Sequence, residues 1–240
     1  MSEQNCLVSN DWICGEYVRS RSQELIDATV QHVWITAASV AIGVVVAFPL
    51  ALLARRYRGF AGPILGLTTV LYSIPSLAMF SLLLPLFGLS ASLVITGLVL
   101  YSLTILVRNV LAGLQAVPEE AVEAARGMGY GPARLLWEVE LPLALPSVLA
   151  GVRIATVSTV ALTTVGYIVD YGGLGTLIVS GLHSDFKAQV LTASVICVLL
   201  ALVADLLLLG LQRLLTPWVR ATRTPRIRRR PASAKVAEAA

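Results

Sequence analysis

The sequence predicts an all-α integral membrane protein, built as a bundle of five membrane-spanning helices. Its composition carries this prediction, because 57% of the 240 residues are hydrophobic and only 13% are charged, with a mean hydropathy of +0.80. Soluble domains carry charge on about a quarter of their residues. The apolar residues also form uninterrupted runs, without the alternation of amphipathic helices and strands. These observations exclude a soluble fold with a large core.

Four charge-poor runs define the five predicted spans. Val33–Ala54 contains no charged residue and is long enough for one crossing. Gly59–Val107 also contains none, but it is too long for one crossing of about 20 residues, and the small polar cluster at 88–92 divides it. Two later runs contain one charge each, Arg153 and Asp205. The predicted spans are residues 33–54, 62–87, 92–112, 143–168 and 189–212.

Prolines lie inside several of these spans, among them Pro49 in the first and Pro75 and Pro85 in the second. Each removes a backbone donor and strains the helix, which a bilayer tolerates where neighbouring groups satisfy the freed carbonyls. We expect either a packed kink or a helix that lines a transport path and bends during transport. The kink at Pro75 and the polar side chains of the second and third spans give a hypothesis for this translocation path. Its residues are Ser73, Pro75, Ser76 and Thr104.

Lysine and arginine are distributed unevenly along the chain. With the N-terminus outside and the C-terminus inside, only three of the 18 lysines and arginines lie outside, namely Arg19, Arg21 and Lys187. Positive charge favours the cytoplasmic side, so this orientation is predicted. The chain then divides into an outer N-terminal tail without signal-peptide features (1–24), a transmembrane domain (25–215) and a basic cytoplasmic tail (216–240).

Both tails leave alternatives open. Cys6 and Cys14 lie in the outer tail, where they form either a disulfide or two free thiols. The run Arg228–Arg230 in the inner tail is either a solvated positive-inside anchor or a site for anionic lipid head groups. Nucleic-acid binding is not supported, because no aromatic residues are interleaved with the basic ones.

Arg153 and Asp205 lie at membrane depth, both in the inner half of their spans. A lone charge there costs about 2.5–3.5 kcal/mol on insertion scales. We therefore expect either a structural ion pair or hydrogen-bonded caps, or else positions on the translocation path.

The longest polar interruption is Pro118–Pro142, in the loop 113–142 between the third and fourth spans. Pro118 suits a helix start, and Glu119 and Glu120 in the first turn favour its positive end. Three glycines then permit a reversal before a second short helix. The first helix either docks into a groove of a partner or lies on the bilayer. Its small apolar residues form a stripe at helical spacing: Ala121, Ala124, Ala125 and Met128.

This stretch carries a signature that resembles that of ABC importer permeases. Glu123-Ala124-Ala125, three residues, Gly129, nine residues and Val139-Glu140-Leu141-Pro142 match the family's pattern, with valine in place of isoleucine as the one departure. The resemblance implies a type I importer transmembrane domain, built like methionine permeases. It also implies that the loop is a coupling helix that docks on an ATP-hydrolysing subunit. The coupling residues implied are Glu119, Glu120, Glu123, Ala124, Ala125, Gly129, Leu141 and Pro142.

Two further segments resemble permeases for the osmoprotectants glycine betaine, carnitine and choline. One is Ser73–Ala78 with Leu84–Gly88, and the other is Gly172–Ile178. In the relatives the second segment begins with small residues. In this chain Val169, Asp170 and Tyr171 stand in their place. The apolar piece Tyr171–Leu182 is too short to span and is predicted to be re-entrant or interfacial. The outer-loop residues implied are Asp170, Gly172, Gly173 and Gly175.

The resemblance implies a non-catalytic permease subunit in a bacterial inner membrane, which imports a quaternary-ammonium osmoprotectant such as glycine betaine, carnitine, choline or proline betaine. An amino acid such as methionine is the alternative cargo. The sequence has no phosphate-binding Gly-x-x-x-x-Gly-Lys-Ser/Thr loop and no metal-ligand cluster. We therefore expect no cofactor on this chain, and ATP and Mg²⁺ on a partner.

The partners implied are a dimer of ABC ATPase subunits, a second permease subunit that is identical or related, an extracytoplasmic substrate-binding protein and membrane lipids. A secondary transporter or channel is less favoured, because five spans without a repeat lack pseudo-symmetric halves. A membrane-embedded enzyme would need a convergent set of catalytic groups, and the sequence shows none.

Overall fold

The computed structural model describes residues 6–218, and every regular element in that part of the chain is helical, so the predicted all-α class is confirmed. The basic run Arg228–Arg230 lies outside the described residues. A π-helical turn at Leu136–Glu140 and a 3-10 turn at Thr164–Val169 flank the eighth helix. The helices are α1 (Gly15–Ser20), α2 (Ser22–Arg56), α3 (Arg58–Ser73), α4 (Ser76–Phe87), α5 (Ala91–Gln115), α6 (Glu119–Gly127), α7 (Pro132–Leu135), α8 (Leu141–Thr163), α9 (Leu174–His183) and α10 (Lys187–Leu215).

Four stretches of the described chain are long and apolar enough to cross a membrane alone: α2, α5, the run Pro132–Val169 that contains α8, and α10. α3 and α4 supply a fifth crossing only when they are counted together. The helices extend beyond the predicted spans, most clearly at α2, which begins at Ser22 where the sequence predicts residue 33.

The second predicted span, residues 62–87, is not one kinked helix, because α3 and α4 meet at an angle of 101°. Pro75 disfavours helical backbone in the residue before it, and Ile74 is accordingly extended, with φ −68° and ψ 129°. The Tyr101 hydroxyl of α5 donates a hydrogen bond to the Ile74 carbonyl. A neighbouring helix thus satisfies the backbone group at the break, whereas Ser73 donates one turn back, to the Val70 carbonyl at 2.8 Å.

α5 forms the centre of the bundle and is the most buried of the long helices. It packs against α2 and α8, and on its other sides against α3 and α4. α2 and α5 approach closely at Gly43, because glycine has no side chain. A Cβ at this position would lie 2.4 Å from the Ser102 hydroxyl oxygen. The buried residues of this core are Ala47, Ala51, Ala54, Ile64, Leu103, Leu106, Val107, Val110, Leu111, Leu114, Ala144 and Ala155.

Residues 6–21 cover the end of the bundle where α9 meets α10, although the sequence assigns them to a tail. Cys6 and Cys14 form a disulfide with their Cα atoms 5.5 Å apart, so this is the alternative that the structure shows. The loop closed by the disulfide is tied to the turn before α10, because the Asn10 side chain donates to the Asp185 carbonyl at 2.6 Å and accepts from Lys187 N–H at 3.0 Å.

Tyr17 of α1 anchors this cover. Its ring meets the ring of Phe186 edge to face, with centroids 5.1 Å apart, and the residue is almost fully buried. Burial raises the pKa of the Tyr17 phenol, and the nearby Glu24 carboxylate adds to the rise. The hydroxyl therefore remains protonated at neutral pH. The burial of Tyr17 and its contact with Phe186 show that α1 is packed as part of the folded domain.

Candidate functional site

The polar stretch between α5 and α8 folds as two short helices joined by a turn. α6 follows Pro118, and Glu119 and Glu120 occupy its first turn, where carboxylates stabilise the positive helix end. Gly129 has a φ of +83°, a left-handed conformation that favours glycine. It reverses the chain, and α7 then begins at Pro132.

Most of the predicted coupling residues of α6 lie on its surface. Glu119, Glu120, Glu123 and Ala124 are exposed, and Gly129 in the turn is exposed as well. Ala125 is the exception, since it is only 2% exposed and packs against its own chain. The stripe predicted from helical spacing is therefore not one continuous docking surface, because α6 turns part of it inward.

The second half of the stretch is braced by Arg134. Its guanidinium lies over the Tyr130 ring, 4.2 Å from the centroid, and its Nε donates to the Glu138 carboxylate at 2.9 Å. The Arg134–Glu138 pair is solvent-exposed.

A buried ion pair that the sequence does not predict ties this stretch to α2. Arg55 lies in the last turn of α2. Its Nη1 donates a hydrogen bond to Glu140 Oε2 at 2.6 Å, and its Nη2 donates one to Glu140 Oε1 at 2.7 Å. Glu140 is 6% exposed, and 29% of the Arg55 side chain is exposed. Two parallel bonds fix orientation as well as distance, so the end of α2 and the entry to α8 are held together rigidly.

The predicted coupling residues Leu141 and Pro142 begin α8, directly after this ion pair. Pro142 has no N–H group to give to the helix. The preceding turn is wide, and the Leu141 N–H bonds the Leu136 carbonyl in a π-helical pattern. Trp137 of this turn also meets Phe48 of α2, with ring centroids 5.9 Å apart, which adds a second link between the turn and α2.

The residues hypothesised to face a translocation path lie in different surroundings. Ser73 is exposed at the end of α3, Pro75 is exposed at the break, and Ser76 is half-buried at the start of α4. Thr104 does not face an open surface of the chain. Its hydroxyl donates to the Thr68 carbonyl, and it is buried between α3 and α5, so its hydrogen bond fastens two helices together.

Arg153 and Asp205 form an ion pair between α8 and α10, one of the two alternatives that the sequence leaves open. Arg153 Nε lies 3.0 Å from Asp205 Oδ1, and Nη2 lies 2.8 Å from Oδ2. Gln212 extends the network, because it donates to the Pro146 carbonyl at 3.0 Å and accepts from Arg153 Nη1 at 3.4 Å. These contacts satisfy both charges at membrane depth.

The glycine-rich outer loop is packed into the protein. Gly172, Gly173 and Gly175 are buried, and only Asp170 is exposed, at a left-handed φ of 60°. The Gly173 N–H donates to Gln31 Oε1 of α2 at 2.9 Å. α9 follows, with ten residues, and it is too short to cross the membrane. The glycines therefore serve close packing of this loop on its neighbours.

Replacing Gly175 with alanine is expected to destabilise the protein by about 1–3 kcal/mol, the usual cost of overpacking. The new Cβ would lie 2.2 Å from the Thr164 carbonyl oxygen, so backbone must shift. Gly210→Ala in α10 is the control, because a Cβ there meets nothing within 4 Å and alanine favours the helix. Thermal unfolding of the purified protein measures both changes, and equal midpoints would contradict the packing role.

No group of three or more His, Cys, Asp or Glu side chains within residues 6–218 is arranged to hold a metal ion. His32 is fully buried in α2, with its Nε2 3.0 Å from the Val160 carbonyl oxygen of α8. This contact joins two helices.

The amino-acid sequence also matches known proteins. Residues 39–221 match the family described as the inner membrane component of binding-protein-dependent transport systems. The osmoprotectant import permease protein OsmW of Salmonella typhimurium is 37% identical over 207 residues, which cover 84% of this chain and 96% of OsmW. The glycine betaine/carnitine/choline transport system permease protein OpuCD of Bacillus subtilis is 34% identical over 85% of this chain and 89% of OpuCD.

A solved structure gives the same result for the fold. The inward-facing MetNI methionine ABC transporter contains a chain that superimposes with a TM-score of 0.72 at 22% identity, over 82% of this chain and 98% of that one. At this identity the likeness establishes the fold alone, and it confirms the type I importer architecture. Together with the family match over most of the sequence, it confirms the resemblance: the chain belongs to the family of inner-membrane permease components of binding-protein-dependent ABC importers.

Proposed function

We propose that the chain is the non-catalytic transmembrane subunit of an ATP-driven importer for a quaternary-ammonium osmoprotectant, such as glycine betaine, carnitine, choline or proline betaine. The observation that carries the proposal is its identity of 37% and 34% with permeases named for osmoprotectants and for glycine betaine, carnitine and choline. Methionine is the weaker candidate cargo, because the methionine transporter shares only 22% identity and supports a common fold.

In this proposal ATP and Mg²⁺ bind to a separate ATPase subunit. Two ATPase copies contact two permease subunits, identical or related, and a substrate-binding protein delivers the cargo from outside. The exposed carboxylates and Ala124 of α6 supply the surface for the ATPase. The orientation with the N-terminus outside is supported by the distribution of Lys and Arg and by the Cys6–Cys14 disulfide, since disulfides persist in oxidising compartments.

Closure of the ATPase dimer moves α6 in each permease subunit. The movement reaches the membrane through the π-helical turn that follows α7, and the Arg55–Glu140 ion pair carries it to α2 and α8 together. Helices that are joined in this way move as a unit. A small displacement at α6 can then bias the bundle between inward-open and outward-open states.

Competition uptake tests the cargo. Cells that express the chain with its ATPase and binding protein are given labelled glycine betaine in competition with unlabelled choline, carnitine and methionine, and labelled methionine in a separate assay. We expect glycine betaine uptake that the other quaternary-ammonium compounds reduce and methionine does not. Uptake of methionine without glycine betaine would replace the proposed cargo by the alternative. Uptake that survives inactivation of the nucleotide site of the ATPase would contradict ATP-driven import.

Ala124→Trp tests the docking of α6. Ala124 is exposed, so a large side chain there leaves the packing of the permease intact and obstructs a close-fitting groove on the ATPase. We expect co-purification of the ATPase and uptake to fall about tenfold, while the permease still inserts in normal amounts. Ala41→Trp on an exposed position of α2 is the control of equal size. Normal uptake by Ala124→Trp would remove the docking assignment.

A further inference from the structure

Arg108 is a charged residue within the apolar bundle that none of the surfaces described so far uses. The distribution of Lys and Arg assigns it to the inner side of the membrane, but the structure places it inside α5, about 10 Å along the axis before Gln115. Its neighbour Asn109 packs on Gly151 of α8, where a Cβ would lie 2.4 Å from the Asn109 Cβ. Arg108 therefore lies at about the same depth as Arg153.

The Arg108 side chain borders an open groove of about 440 Å³ between α3 and α5. Its Nη2 donates to the Thr69 hydroxyl oxygen at 2.8 Å, and Ser73 lines the same groove. The other lining residues are Leu65, Gly66 and Val70. One cation and two hydroxyl groups thus share an open space at membrane depth.

Such a face is a poor surface for lipid, because a charge in the hydrocarbon region is costly and marks a water-filled or functional site by default. Arg153 at the same depth is neutralised by Asp205. Arg108 is exposed and has no carboxylate within ion-pair distance among residues 6–218. The difference indicates that its counter-charge comes from outside the part of the chain that the structure describes.

We propose that the α3–α5 face lines the aqueous translocation path and that Arg108 binds the carboxylate of a zwitterionic cargo as the cargo passes. A guanidinium has five N–H donors in a planar fork that matches a carboxylate, and Thr69 accepts only one of them. This inference rests on the proposed function for the class of cargo, and it separates the cargoes that have a carboxylate from those that do not. Glycine betaine and carnitine have a carboxylate that contacts Arg108, whereas choline has a hydroxyl group and no carboxylate.

Uptake by cells that express the complete transporter separates the two kinds of cargo. Arg108→Gln removes the charge, and Arg108→Lys keeps the charge but loses the planar fork. We expect glycine betaine uptake at low concentration to fall about tenfold or more with glutamine, because a charge-assisted hydrogen bond is lost, and to fall less with lysine. Choline uptake is expected to change less. Arg213→Gln, at an exposed position near the end of α10, is the matched control and is expected to leave both unchanged.

The outcomes distinguish this inference from the function on which it rests. If the wild type imports glycine betaine and Arg108→Gln imports it equally well, or loses glycine betaine and choline to the same degree, the carboxylate site is wrong and the proposed function stands. If the wild type imports no quaternary-ammonium compound, the proposed function fails, and the carboxylate site fails with it.

Water access to the face is measured without any cargo. In a Cys197→Ala background, the remaining cysteines are joined in the Cys6–Cys14 disulfide. We expect a charged thiol reagent to label Ser73→Cys in the assembled transporter about tenfold faster than Leu206→Cys, because only a thiol in contact with water ionises and reacts. Leu206 is 63% exposed on the apolar surface of α10. Equal labelling rates would show that the α3–α5 face is not aqueous and would overturn the proposal.

Discussion

Replacing Glu140 with alanine is expected to lower the stability of the folded permease by about 3 kcal/mol and to reduce the yield of assembled transporter. Removing one partner of a buried ion pair leaves the other unpaired and costs about 3–5 kcal/mol. The Arg55 side chain is 29% exposed and regains some hydration, so we expect the lower end of that range. Thermal unfolding of the purified permease and its recovery with the ATPase measure the two effects.

Two comparisons separate the ion pair from a general effect of mutation. Glu138→Ala breaks the exposed pair with Arg134 in the same stretch and is expected to leave stability unchanged, because exposed pairs contribute little. Arg55→Met combined with Glu140→Leu removes both charges and is expected to recover most of the stability, since apolar replacements of buried pairs are often neutral or better. A Glu140→Ala protein as stable as Glu138→Ala would contradict the buried ion pair.

The double variant also tests whether the Arg55–Glu140 ion pair carries movement of α6 to α2 and α8. If its stability returns while uptake stays low, the ion pair does more than hold the fold, because the apolar pair keeps the contact but loses the fixed orientation of two parallel hydrogen bonds. If both stability and uptake return, packing alone joins α2 to α8, and the rigid link between them needs no charge.

Local signals in the sequence predict a large part of this architecture. α2, α5 and α10 follow from charge-poor runs, because a chain in lipid must satisfy its backbone within helices. α6 follows from a proline and two glutamates at a helix start. The pairing of Arg153 with Asp205 is one of two alternatives from the sequence, since each is the single charge of its apolar run and both lie near the same side.

Contacts between residues that are far apart in the sequence cannot be predicted from such local signals. Arg55 and Glu140 are 85 residues apart, and a glutamate in a polar loop is ordinarily solvated, so nothing local marks it as buried. Thr104 has a polar side chain in an apolar run, which is equally compatible with a path and with a hydrogen bond between helices. The bend at Pro75 is predictable, but its angle depends on what packs against α3 and α4.

Replacing Gly129 with valine is expected to abolish uptake while the permease still inserts into the membrane. Gly129 has a φ of +83°, and a β-branched residue held there costs about 3 kcal/mol, which leaves about one molecule in a hundred with the turn formed. The turn sets the direction of α6 relative to α7, so the proposed docking surface is lost although the bundle is unchanged. Substrate-stimulated ATP hydrolysis and uptake in reconstituted vesicles measure the effect.

Gly131→Val, two positions along the chain, is the matched control. Gly131 has a φ of −72° and a ψ of 166°, which valine adopts readily, and a Cβ there meets nothing within 4 Å. Gly129→Asn is a second comparison, because asparagine tolerates left-handed backbone better than other residues, and we expect it to recover part of the uptake. If Gly129→Val and Gly131→Val reduce uptake equally, added bulk explains the loss, and the left-handed turn is not what orients α6 for the ATPase.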